Sequence, residues 1–234
     1  LFGLSSVHWR EAWKYGERAF RYCNHDIGHA LGSARVTAAT LGWSMALLDG
    51  VDQNAVAMVL GTHRTDDFAG VEPEHPDCLC VLWARGKVKG DTAQVKGTDA
   101  EIPLYLDAAL VKGLSNGAWY GKANRLSGEH GVHWDAIDQV ADASWKLSNE
   151  PQALSGPRSL ANDASRVTHD AGPPAGQIIR QRRSAVSFDG RTSISSAVFF
   201  RMLQRVMPRI EQAQLERPMP WDLWPHAPAI HLMI

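Results

Sequence analysis

The sequence predicts an α+β fold, and three observations carry that reading. The first is a long helical pattern in which Phe20, Cys23, Ile27, Ala30, Leu31, Ala34, Ala38 and Leu41 recur at three- and four-residue steps. The second is the run 78–84, short and continuously apolar, which reads as a strand buried on both faces. The third is what lies between them: an apolar run at 44–48, a turn at Asp49 and Gly50, a short helical pattern at 54–60 and a polar loop at 62–76.

The individual elements follow from local chemistry. From His8 the chain opens with aromatic and basic residues (Trp9, Arg10, Trp13, Lys14, Tyr15, Arg18, Arg21, Tyr22) before the apolar stripe begins. Gly28 and Gly32, four apart, predict a smooth patch against another backbone or a flat ligand. Asp26 suits the positive end of a helix, and Gly42 suits a left-handed cap at its finish. Asp52 is placed to cap the 54–60 helix, with Val56, Val59 and Leu60 inward and Gly61 closing it. Residues 86–98, rich in Lys, Gly, Asp and Thr, read as a surface connection. Leu104, Leu106, Ala109, Leu110 and Val111 predict a helix over 103–114, and 116–131 is turn-rich. A further helix is predicted over 133–147, with Ile137, Val140, Ala141 and Leu147 on one face and Trp134 and Trp145 flanking it. Residues 148–177 lose periodicity and read as an interdomain linker. The last helix is expected over 195–207, using Val198, Phe199, Met202, Leu203 and Val206, with Ser193, Ser195 or Ser196 as its cap. Prolines then punctuate the run to a final strand expected at 230–234.

Composition narrows the function classes. The 234 residues suffice for one large or two small domains, and a 44% hydrophobic fraction with 21% charged residues is that of an ordinary globular protein. A formal net charge of −1 excludes a global electrostatic pull toward nucleic acid or anionic lipid. No apolar run approaches the roughly 18 residues of a membrane span, and no secretory leader is visible, so no membrane partner and a cytoplasmic setting are expected. Three cysteines, an odd number, read as reduced thiols rather than a disulfide framework. The nine tryptophans call for large aromatic packing surfaces or a planar ligand.

The run K-Y-G-E-R-A-F-R-Y from Lys14 to Tyr22, followed by D-x-G-H-A from Asp26 and by L-G-W at Leu41, resembles the second half of nitroreductase-like flavin domains, closest to the branch of azoline (thiazoline and oxazoline) dehydrogenases. Downstream, I-I-R-Q-R-R-S-A-V-S-F from Ile178 resembles the segment that opens such a domain and holds the FMN phosphate; Val186 stands where many members carry a second basic residue. The resemblance covers about residues 8–85 and 178–210. It implies a nitroreductase-type α+β fold, a central mainly antiparallel sheet wrapped by helices. Because the two signals occur in reversed order, the expected division is a tandem pair: 1–86 as the C-terminal half of a first domain, 87–176 as a variable helical segment and linker, and 177–234 as the N-terminal part of a second. That Leu1 is not an initiator Met, and that the chain ends on an expected strand, agree with this expectation.

The function so implied is FMN-dependent oxidoreduction in two half-reactions, in a homodimer or pseudo-dimer: the flavin takes hydride from NAD(P)H or from an azoline-like peptide or small-molecule substrate, then passes it to an acceptor such as a nitro compound, a quinone or oxygen. Arg182, Arg183 and Ser184, expected at a helix start, would combine guanidinium forks, a hydroxyl and backbone N–H groups on the FMN phosphate. By residue type alone they also read as a solvated basic helix start. The backbone of Ala46, Leu47 and Leu48 is the implied neighbour of the flavin N5 edge, and also reads as a plain buried connection. The alternative function is a cofactor-less nitroreductase-like binding or scaffold domain in a peptide-modifying complex. A zinc hydrolase ranks last: Cys23, His25, Asp26 and His29 cluster in sequence, but there is no H-E-x-x-H and no C-x-x-C pair, so no metal is expected and His29 is read as a buried hydrogen-bonding or active-site residue. Cys78 and Cys80 are expected to point the same way. Lys14, Arg18 and Arg21 suit a phosphate or carboxylate, or a solvated edge paired with Glu11 and Glu17.

Overall fold

The computed structural model describes residues 1–84, 102–103, 106–126, 128, 132–147, 153–154, 172–207, 209–211, 214–216 and 219–224. The strand expected at 78–84 begins earlier, at His75–Ala84 (β3), and is the centre of a three-stranded antiparallel sheet. Its neighbours are β1 (Phe2–Ser6) and β2 (Trp43–Leu47), so that Cys80 has Phe2 opposite on one side and Leu47 on the other. Because side chains alternate along a strand, β3 feeds two cores. Cys78, Cys80 and Leu82 join Leu31, Ala38, Met45 and Leu47 beneath the long helix α2 (Ala19–Thr40). Leu79 and Val81 join Leu48, Ala55, Val56, Leu106 and Val111 on the opposite face. That second face is covered by α3 (Gln53–Leu60) and α4 (Ala108–Ser115). A third cluster, Ala12, Ala19 and Ile137 with Phe20 and Trp134, joins α2 to α1 (His8–Tyr15) and α5 (Asp135–Ala143).

Several local expectations hold in the structure. Asp52 accepts a hydrogen bond from the Ala55 amide at 2.8 Å, and α3 closes on left-handed Gly61. Gly42 adopts φ 71° at the end of α2, and Cys78 and Cys80 share one face. Ser195 caps α7 (Ser196–Arg205) through the Val198 amide. Other expectations shift for identifiable reasons. α4 starts late because Asp107, not a residue near 103, provides the cap, accepting from the Leu110 amide. Ile102–Pro103 (β4) instead pairs with Ala153–Leu154 (β5). α5 is shorter than the 133–147 pattern, ending where the Ser144 hydroxyl bonds back to the Ala141 carbonyl; Val140 and Leu147 are exposed. The end of the expected linker is helical, in α6 (Ala175–Gln181). A hairpin follows α7, pairing β6 (Arg209–Glu211) with β7 (Gln214–Glu216). The expected surface connection at 86–98 and the final strand at 230–234 lie outside the described residues.

α2 begins at Ala19, next to the first residue of the expected stripe, and Gly16, at φ 59°, separates it from α1 through a short 3-10 turn. Two readings on the long helix shift. Asp26 lies inside α2, well past its first turn. Among the described residues, a Cβ at Gly28 would meet nothing within 4 Å and one at Gly32 would meet only the Pro220 ring at 3.7 Å, so there the pair is not a close-packing patch against another backbone.

Arg35, on the stripe between Leu31 and Ala38, is fully buried. Its Nε and Nη2 donate to Asp222 Oδ2 at 3.0 and 2.6 Å. Asp222 sits in a 3-10 turn (Trp221–Leu223) whose Leu223 enters the core beneath α2. Removing one partner of a buried pair strands the other charge, whereas replacing both with apolar groups relieves it. Asp222→Ala is expected to cost about 3–5 kcal/mol of stability, and Arg35→Met with Asp222→Leu to recover most of that loss, measured by urea unfolding. A single variant as stable as the parent would show that the pair is open to water.

Candidate ligand-binding cleft

A cleft of about 960 Å³ opens between α1, α3, the loop 62–76 and the segment that carries α5. Its position follows from the termini of these elements. His8 begins α1 directly after β1, and His75 begins β3 opposite Ser6, which brings the two imidazoles together at 5.0 Å between ring centroids. His8 also packs against Phe20 at 5.4 Å, and Trp145 stands edge-on to His75 at 5.6 Å. The wall beyond α5 is tied down by polar contacts. Trp145 Nε1 donates to Asn54 Oδ1 at 3.2 Å, the Gln53 amide to the Lys146 carbonyl at 2.9 Å, and Lys146 Nζ to the Asp49 carbonyl at 2.7 Å. Trp134 lies under Gly16, where a Cβ would come within 3.2 Å of the indole; a side chain there would be strained by φ as well as crowded.

Electrostatics in the cleft are set by burial. Desolvation, reinforced by the neighbouring His75, holds the His8 imidazole below its ordinary value of 6.5; the carboxylates of Asp77 and Asp138 act in the opposite direction with less effect. His8 therefore stays neutral at neutral pH. On the rim, His133 Nε2 lies 3.2 Å from Asp135 Oδ1 and 3.1 Å from Asp138 Oδ2. The loop contributes Glu72, buried and accepting from the Leu126 amide at 3.0 Å, and Glu74, which accepts from the Ser5 hydroxyl at 2.6 Å. An apolar floor with aromatic walls and a few polar groups is the make-up of a small-molecule site.

The residues expected to hold a ligand lie elsewhere. Leu47 and Leu48 are buried, one in each core, with the Leu48 amide donating to the Leu79 carbonyl at 2.9 Å; Ala46 is half-buried between them and the sheet edge. The side chains of Leu47 and Leu48 are therefore closed to a ligand. Arg182, Arg183 and Ser184 are exposed, and they follow the C-terminus of α6 instead of starting a helix. Arg183 Nη1 donates to the Arg180 and Arg182 carbonyls at 2.9 and 2.8 Å, where a helix end offers acceptors rather than donors. The helix-start contribution to phosphate binding expected there is thus not provided by α6. Among the described residues, none of these arginines pairs with a carboxylate. Beyond them, the Asp189 carboxyl is held down at about 2 by its hydrogen bond from the Thr192 hydroxyl and by the backbone amides of Thr192 and Arg191.

The Cys23, His25, Asp26, His29 set does not converge. Cys23 faces the core while the other three are exposed, so His29 is neither buried nor at the cleft. Among the described residues no group of three His, Cys, Asp or Glu is arranged to hold a metal. Burial pushes the Cys23 thiol up to about 11, aided by Glu11, Asp77 and Asp26. Cys80 is raised by its hydrogen bond with Cys78 and then by burial, so neither thiol is a nucleophile at neutral pH. Lys14, Arg18 and Arg21 are exposed, and Lys14 Nζ rests 5.0 Å from the Tyr15 ring centroid. Sequence reading flagged Trp134 and Trp145 as flanking a helix face but missed His8 and His75, which are 67 positions apart and meet only through the β1–β3 register.

Comparison with protein-family profiles, with curated proteins and with solved structures finds no match to this chain.

The depressed His8 value has a direction that stability measurements can read. Between the folded value and 6.5 the unfolded chain binds more protons than the native one, so stability rises with pH across that window. Stability is present above about 6.5 and is lost as pH falls toward the depressed folded value. His8→Phe keeps a ring in the stack and removes the proton site. On moving from about pH 7.5 to about pH 5.5 the parent should lose more stability than this variant. Equal losses would remove His8 from the account.

Proposed function

We propose that this chain belongs to an FMN-dependent oxidoreductase of the nitroreductase type, acting in two half-reactions: the flavin is reduced by hydride from an azoline-bearing peptide or from NAD(P)H, and is reoxidised by an acceptor such as a nitro compound, a quinone or oxygen. The observation that carries the reading is the unit α2–Gly42–β2: a core helix, capped by left-handed Gly42, delivering the chain into an edge strand. It coincides with the K-Y-G-E-R to L-G-W run that resembles such domains.

FMN, when bound, supplies the hydride and electron transfer. The donor chemistry of Arg182, Arg183 and Ser184, exposed and free of carboxylate partners among the described residues, suits a phosphate dianion. The backbone of Ala46, Leu47 and Leu48, anchored by two buried leucines, suits the edge of a planar ring. In this reading the phosphate grip and the ring floor come from different copies of the domain, within a homodimer or a tandem pseudo-dimer. The three free thiols agree with a cytoplasmic setting, and among the described residues no helix is long and apolar enough to cross a membrane.

A cofactor-less scaffold domain in a peptide-modifying complex is the second reading. It draws on the placement of Arg182 after a helix and on Val186, 99% exposed where a second basic residue would strengthen the phosphate site.

FMN titration of the complete protein separates the two. With the first reading the purified protein carries oxidised-flavin absorption, and Arg183→Ala weakens FMN by roughly ten- to a hundredfold while leaving riboflavin nearly unchanged. A colourless protein indifferent to added FMN supports the scaffold instead.

A further inference from the structure

The cleft is built from α1, α3, the 62–76 loop and the α5 segment, and shares no residue with the segments assigned to FMN. Trp9, Trp134 and Trp145 supply its aromatic surface, while Glu72, Glu74, Asp138 and Asp142 supply carboxylates, Asp138 also facing His133 Nε2 at 3.1 Å. No lysine or arginine is among its described lining residues. This is local segregation, because the chain as a whole is balanced, with 24 basic against 25 acidic residues. Lys146, adjacent to Trp145, turns its ammonium away to the Asp49 carbonyl. His8 contributes no charge at neutral pH, because burial holds it neutral.

We propose that this cleft binds a small organic cation, an ammonium or guanidinium group carried on an apolar or aromatic body. An anion would meet carboxylates and, among the described lining residues, no lysine or arginine. A neutral planar ligand would use the tryptophans and leave the acids idle. A cation uses both, with its charge over an indole face and beside the rim carboxylates, and its body against Ala57, Met58 and Ile137. At about 960 Å³ the cleft admits a molecule of that size with room for its hydration on the open side.

Calorimetric titration of the full chain with 2-phenylethylammonium, and with neutral 2-phenylethanol as its isostere, tests this at low ionic strength, where partly exposed charges are least screened. The cation should bind at least about tenfold more tightly than the alcohol. Asp138→Asn with Asp142→Asn, at two exposed positions, should remove most of that difference while leaving the alcohol's affinity in place. A thermal melt that matches the parent shows that the variant is folded. Equal affinity for the two compounds, no binding of the cation at millimolar concentration, or a double variant that binds the cation like the parent would each overturn the proposal. None of these outcomes bears on FMN, so the two readings stand or fall separately.

Discussion

The fold depends on one strand being apolar on both sides. β3 places Cys78, Cys80 and Leu82 in the core under α2, and Leu79 and Val81 in the core under α3 and α4. A slip of one residue would exchange these sets and turn both cores inside out. Register is therefore fixed strongly, and the near end of the strand shows how. Pro76, which has no amide to give, sits opposite Ser5 where the β1 ladder shifts register, and its carbonyl accepts from the Gln53 side chain at the start of α3. The same few residues thus set the strand register, dock α3 and deliver His75 to the cleft. The position of the candidate site is a consequence of how β3 begins.

A second constraint acts through charge. A guanidinium fully buried on α2's stripe is compensated by Asp222, 187 positions away, which accepts two hydrogen bonds from it. Leu223 beside it fills the core that Leu31 and Ala38 line. An apolar residue at position 35 would pack as well against Leu31 and Ala38 but would select no particular segment to cover it. The ion pair does select one, which ties the register of a late segment to that of an early helix.

What was legible in the sequence follows the range of the interaction that decides it. The caps at Asp52, Gly61 and Gly42 are decided within four residues and each is found where residue type puts it, while at α7 the structure selects Ser195 from the three serines the sequence offered. The two-faced character of β3 is also local, since a strand with no polar alternation cannot face water on either side. The short helix α1 over His8–Tyr15 was not legible as an element, because its residues read only as an aromatic and basic run. Arg35 lay in plain view as a charge inside the stripe, yet its burial depends on a partner that no pattern in the helix names. The expected burial of Gly28 and His29 failed for the same reason: helical spacing says which residues share a face, and only packing says which face is covered.

The distribution of resemblance along the chain bears on what each part does. The run that resembles flavin domains maps onto α1, α2, β2, α3 and β3, the sheet and the helices that cover it. The segment the resemblance does not reach supplies α4, which closes the second core, and α5, which closes the first cleft wall against α1. A scaffold determined by β3 alone would leave His8, His75 and Trp9 facing open solvent. It is α5, and the tether from Trp145 and Lys146 to Asn54 and Asp49, that turn this face into a cavity. Substitutions within α5 can therefore change the shape and charge of the cleft while leaving both cores under β3 intact. Substitutions at Cys78 to Leu82 of β3 cannot, since each of those side chains belongs to one core or the other. Ligand choice and fold stability are in this way assigned to different stretches of the same chain.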